Sequence, residues 1–171
     1  MLPHEHFLVA ALPIFLYIFL RHRRFPSKAM VFVVFVGSQF PDLVDKPLAY
    51  SLIIIPSGRV FMHSLPFAIP ISIFVMMYGI ETNRPALSSG FVYAYLAHLL
   101  ADVRQSLFAG QLPQNLLWPF VDTLPASSVP PWAGSGNINV TLWTTFSVLV
   151  LSGTAIIILR DVLFQLLSKN I

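Results

Sequence analysis

Four short groups of residues in this sequence have the types and spacing to bind a cation. His98 and Asp102 stand four apart, which on a helix puts an imidazole and a carboxylate on one face, able to hold one ion between them. Asp42 and Asp45 stand three apart behind Pro41, and this proline predicts a turn that both carboxylates flank. Either can bind a metal directly or orient a ligating histidine from behind. Arg59 and His63 form a third group, and His4, Glu5 and His6 a fourth near the N-terminus. The chain has no cysteine, so thiolate sites and disulfides are excluded. Histidine with aspartate is a donor set for zinc, or for a harder divalent ion such as manganese.

Each group also has a plainer reading. Asp42 can pair with Lys46 four residues on, as oppositely charged side chains one helical turn apart do. His63 can be a hydrogen-bonded core histidine, and His98 with Asp102 a simple hydrogen-bonded pair. Arg59 and Arg104 can snorkel to lipid headgroups, and His4 and His6 can be loose terminal residues. Weight comes from where the groups fall together, which depends on the elements that carry them.

Of the 171 residues 56% are hydrophobic and only 10% charged, against about 25% charged in a soluble domain. The apolar residues form runs at 7–20, 29–40, 60–80, 86–101 and 140–159, followed by an amphipathic tail at 160–171. These predict a single all-α domain over residues 1–171: an integral membrane bundle of about five short transmembrane helices plus an amphipathic C-terminal helix. A span needs about 20 residues, so the first run reaches that length only if residues 1–6 also lie at membrane depth. Its basic cluster follows the apolar stretch rather than preceding it, unlike a cleaved signal peptide, so the segment is expected to stay attached. Residues 47–58, broken by prolines, predict an interfacial loop. The connector 104–139, with Trp118 and Trp132, predicts one lying on the membrane surface.

Lysine and arginine set the orientation. If the chain crosses five times, Arg21, Arg23, Arg24, Lys28, Arg84, Arg160 and Lys169 share one side, and Lys46, Arg59 and Arg104 the other. The richer side is cytoplasmic by the positive-inside rule, which puts the N-terminus outside. The net charge of +3 is thus explained by topology, and no nucleic-acid partner is expected. On this threading His4, Glu5, His6, Asp42, Asp45, Arg59, His63, His98 and Asp102 all reach the outer face. The inner half holds almost no ionisable residue, which disfavours a cation or proton pathway; such a pathway needs polar groups through the whole membrane.

Behind an N-terminal histidine the chain carries Gly37-Ser38-Gln39-Phe40-Pro41-Asp42-Leu43-Val44-Asp45, then Arg59-Val60-Phe61-Met62-His63-Ser64, His98-Leu99-Leu100-Ala101-Asp102 and Leu117-Trp118-Pro119-Phe120. This order resembles the membrane-bound metal-dependent hydrolases, a prokaryotic inner-membrane family, over roughly residues 1–121. That family looks like a distant membrane relative of zinc-dependent phospholipase C, an all-helical group with an H-x-x-x-D pair among its metal ligands. The resemblance implies His63, His98 and Asp102 as ligands, completed by Asp42 or Asp45 and by His4 or His6. No later His and Glu pair is evident for a three-zinc site, so the implied centre holds one or two ions. The implied activity is metal-assisted hydrolysis of a lipid or lipid-linked phosphoester at the extracytoplasmic face. Asp42 or Asp45 would accept a proton and Arg59 would hold the anion. The alternatives are a non-catalytic scaffold, whose polar residues only hold helices together, and the cation or proton pathway. His4-Glu5-His6 is not the H-E-x-x-H motif of a metalloprotease.

Overall fold

The computed structural model describes residues 3–122. The fifth apolar run, the amphipathic tail, and residues 123–139 of the 104–139 connector, Trp132 among them, fall outside the described residues. Within them the chain is all-helical: α1 (Pro3–His22), α2 (Lys28–Lys46), a π-helical turn (Pro47–Ser51), α3 (Leu65–Glu81), α4 (Pro85–Phe108) and a 3₁₀ turn (Gln114–Leu117). α1 and α4 are long and apolar enough to cross a membrane, and α3 is a shorter apolar helix.

Local chemistry explains the ends. α1 starts at Pro3, where a proline loses nothing because the first helical N–H groups have no intrahelical partner. The histidine-bearing N-terminus is therefore helical, and the first run gains the length it lacked. Ser27 caps α2, its Oγ accepting from the Met30 amide at 3.2 Å, as N-cap serines do.

Two expectations are corrected here. The turn at Pro41 does not form: α2 runs through that proline to Lys46, so Asp42 and Asp45 occupy helical positions. An interior proline removes one backbone hydrogen bond, a loss that packed membrane helices tolerate when neighbours re-satisfy the freed group. Pro13 and Pro70 are likewise interior to α1 and α3. The third helix begins not at residue 60 but at Leu65, with Pro66 in its first turn. Proline suits that first turn, and were the helix extended upstream its ring would clash with the Met62 carbonyl four residues back, which it has no N–H to bond. Residues 60–64, His63 among them, are therefore irregular.

α2 and α4 meet at very short range. A Cβ built on Gly37 would sit 2.6 Å from the Phe91 carbonyl oxygen and 3.2 Å from the Ala94 Cβ. Only glycine permits this approach, and small residues at such crossings are how membrane helices gain contact. Around it pack Phe7, Ala10, Ala11, Val34 and Ala94 in one cluster and Ala68, Tyr95 and Leu99 in another. Outward face Leu16, Phe32, Phe74 and Leu100, all largely exposed. The interior also holds His6, Asp45, His63 and His98, each no more than 1% exposed. An apolar exterior, with ionisable side chains buried beside the apolar clusters, departs from the usual soluble pattern.

Candidate metal centre

α1 contributes His6 near its N-terminus, α2 contributes Asp42 and Asp45 near its C-terminus, and α4 contributes His98 and Asp102 beyond its midpoint. The helices alternate in direction, so these positions fall at one end of the bundle, where the irregular segment before α3 adds His63.

The two deepest imidazoles are fixed from behind. His98 Nδ1 lies 2.6 Å from the Ser38 carbonyl oxygen. A carbonyl only accepts, so Nδ1 donates its N–H, and Nε2 of the neutral ring carries the lone pair. His63 Nδ1 donates to Asp45 Oδ2 at 2.8 Å, which likewise leaves its Nε2 as an acceptor. The two Nε2 atoms are 3.1 Å apart. Asp42 Oδ1 lies 3.6 Å from His63 Nε2 and 4.0 Å from His98 Nε2, and Asp102 Oδ2 stands at the same two distances. Asp102 Oδ1 is 3.3 Å from His6 Nε2, and the His6 ring stacks on His98 with centroids 3.8 Å apart.

Two triads result, His6–His98–Asp102 and Asp42–His63–His98, with the donor atoms of each within 4.8 Å of one another. Ligands on a single zinc ion lie about 3.3 Å apart at the tetrahedral angle and at most about 4.2 Å apart across it, given bonds of about 2.0–2.1 Å. The carboxylate distances of 3.6 and 4.0 Å around His63 and His98 fall in that range, and the 3.1 Å between the two Nε2 atoms lies just short of it.

The remaining residues divide by position. Asp45 stands behind His63, with its Oδ1 accepting the Met62 amide at 2.8 Å; both its oxygens are committed to the 62–63 segment. Asp42 does pair with Lys46, Nζ to Oδ2 at 2.6 Å, while its other oxygen faces the histidines. Arg59 Nε meets Asp102 Oδ2 at 3.1 Å with the guanidinium side chain 49% exposed. Of the two N-terminal histidines only His6 joins a triad. Residues two apart on a helix point about 200° away from each other, so only one of the pair can face the centre. His4 Nε2 is buried without a hydrogen-bond partner among the described residues. Asp122 is exposed and takes no part. Trp118 packs against Phe61 and Phe67, with centroids 6.3 and 5.8 Å away.

The sequence matches the family described as YdjM inner membrane protein over residues 1–169. The chain belongs to that family. No curated protein and no solved structure matches it. The family is described as an inner membrane protein, and that description names no reaction.

Three residues that sequence reasoning left without a role hold the centre of this YdjM family member together. The Ser38 carbonyl orients His98. Gln39 Nε2 donates to the Pro3 carbonyl at 2.9 Å and to Ser38 Oγ at 3.0 Å, tying the start of α1, and hence His6, to α2. The Tyr95 hydroxyl donates to the Met62 carbonyl at 2.6 Å. Ser38 and Gln39 lie within the Gly37–Asp45 stretch, and Tyr95 one helical turn before His98, so proximity to motif residues was the only available signal.

Proposed function

We propose that this YdjM family protein is a membrane-bound, metal-dependent hydrolase acting on a phosphoester of a lipid or lipid-linked substrate. One observation carries the reading. Two imidazoles whose Nδ1 atoms are both committed as donors present their Nε2 lone pairs to each other at 3.1 Å, flanked by carboxylate oxygens. Facing lone pairs repel, and a divalent cation turns the arrangement into an attractive one.

His63, His98, Asp42 and Asp102 would hold the ion, with His6 reaching it from the Asp102 side; zinc suits these donors best and manganese next. When bound, such an ion makes a water nucleophilic near neutral pH and polarises the scissile bond. Of the two α2 carboxylates Asp42 is the one that turns an oxygen to the site, because Asp45 is occupied by His63 and the Met62 amide; with its Oδ2 on Lys46, Oδ1 would serve the ion or, when released from it, accept a proton. Arg59, half exposed beside Asp102, would hold a phosphate oxygen through its remaining N–H groups. A centre at one end of the bundle lies at headgroup depth, where a lipid phosphate arrives without leaving the bilayer. The seven-to-three distribution of Lys and Arg supports an extracytoplasmic orientation.

The test pairs elemental analysis of the detergent-purified full chain with phosphate or headgroup release from defined liposomes. Bound zinc or manganese together with metal-dependent release is expected. A metal-free, inactive protein would favour the scaffold instead, with Arg59–Asp102 and His63–Asp45 acting only to hold segments together.

A further inference from the structure

We infer that Tyr95 is a positioning residue for His63, acting through the Met62 peptide; the inference rests on the metal-centre reading above. His63 differs from the other proposed ligands in its backbone. His6, Asp42, His98 and Asp102 ride on helices, whose hydrogen-bond ladders fix their Cα atoms. His63 lies in the irregular 60–64 segment, where no ladder does this work.

Side chains from two other helices supply what the ladder does not. The Met62 N–H donates to Asp45 Oδ1 of α2 at 2.8 Å, and the Met62 carbonyl accepts from the Tyr95 hydroxyl of α4 at 2.6 Å. Both polar groups of one residue's backbone are thus held from opposite sides, immediately before the ligand. Asp45 also takes the ring itself through Nδ1, so α2 sets the rotation of His63. Tyr95 sets its distance from α4, the helix that carries His98 three residues further on. A single helix therefore registers both imidazoles, one directly and one through a phenol, and the 3.1 Å approach of their Nε2 atoms depends on both.

Packing alone does not account for the hydroxyl. The Tyr95 ring, fully buried, makes edge contacts with Phe40 at 5.5 Å and Phe91 at 6.4 Å, and phenylalanine would keep both. Its hydroxyl spans 33 residues of sequence to reach Met62. Without it the Met62 carbonyl loses its only side-chain donor among the described residues, and Asp45 is the one remaining side chain from another helix that bonds the backbone of the 62–63 segment, beside the local Ser64-to-Phe61 turn bonds.

The experiment measures Co²⁺ and Zn²⁺ affinity of the full chain in detergent by competition with a chromophoric chelator, together with the visible spectrum of the Co²⁺ form. Tyr95→Phe is expected to weaken binding by about tenfold, the lower end for loss of an outer-shell partner, and to change the Co²⁺ bands. The same substitution in a His63→Ala background should have no further effect, because its target is gone. In a His6→Ala background it should keep its full effect. Equal affinity and spectrum in wild type and Tyr95→Phe would overturn the inference while leaving the metal centre intact. So would an undiminished effect in the His63→Ala background, the signature of a general loss of packing. A wild-type chain that binds neither ion would remove the metal reading itself, and this role with it.

Discussion

His98 belongs to both donor triads, the one with His6 and Asp102 and the one with Asp42 and His63, and with Nδ1 bound to the Ser38 carbonyl only its Nε2 can serve either. A ring nitrogen has one lone pair and binds one ion, so the triads cannot each complete a separate site. The purified chain is expected to carry about one divalent ion per molecule. Removing it with a chelator should lower the melting temperature, and adding it back should restore it. At a free concentration about 1,000 times Kd the linkage is about 4.1 kcal/mol. Two ions per chain by elemental analysis would show that His98 serves only one of two neighbouring sites.

Sharing also ranks the ligand substitutions. His98→Ala removes a donor from both triads and should abolish tight metal binding and phosphoester hydrolysis. His6→Ala should weaken binding more mildly. Its Nδ1 is buried without a hydrogen-bond partner among the described residues, so no outer partner fixes its tautomer as Ser38 and Asp45 do for the other two. His4→Ala should leave metal content unchanged. Insertion into the membrane should survive in all three, since none of these side chains belongs to the apolar clusters that hold the helices together. A His4 variant that loses metal while the His6 variant keeps it would reverse the assignment at the N-terminus.

The spacing of His98 and Asp102 was legible because helical periodicity places residues four apart on one face whatever surrounds them. The gathering of segments distant in sequence was legible because the membrane leaves few ways to thread apolar runs. The division of labour within the Asp42–Asp45 pair was not. Asp42 faces the histidines and Asp45 stands behind one of them, and this depends on α2 continuing through Pro41, where the local rule predicts a break. Nor could sequence choose between His4 and His6, since the choice depends on the rotation of α1, which the Gln39–Pro3 hydrogen bond helps to set. His63 read as part of a helix because residues 60–80 are uniformly apolar. The proline at 66 and the clamp at Met62 hold residues 60–64 out of it.

Orientation gives a third prediction. The chain has no native cysteine, so single replacements label cleanly. Gln111→Cys lies beyond α4, at the end of the bundle that carries the centre, and Phe25→Cys lies at the opposite α1–α2 corner; both positions are exposed. With an impermeant thiol reagent on intact cells, position 111 should react and position 25 should react only after permeabilisation. Reaction at 25 alone would put the metal centre on the cytoplasmic side and redirect the substrate search to that leaflet.

Arg59 offers the sharpest separation of substrate binding from turnover. Its Nε contacts Asp102 Oδ2, so it can act on the ligand, on the substrate, or on both. If it holds the phosphate, Arg59→Ala removes charge-assisted hydrogen bonds worth about 1.5–3 kcal/mol, or about 10- to 100-fold in kcat/KM at about 1.4 kcal/mol per tenfold. Anion binding that is equal in ground and transition states falls on KM, with kcat nearly unchanged. Metal content should be unaffected, because His6, His63 and His98 still surround Asp102. Asp102→Asn should behave differently, losing metal and lowering kcat together. The assay is headgroup release from liposomes at saturating zinc, with metal content measured on the same preparations. If Arg59→Ala loses metal and kcat in parallel with Asp102→Asn, the guanidinium supports the carboxylate, and the anion-binding group must be sought elsewhere; Lys46, already paired with Asp42, would be the next residue to replace.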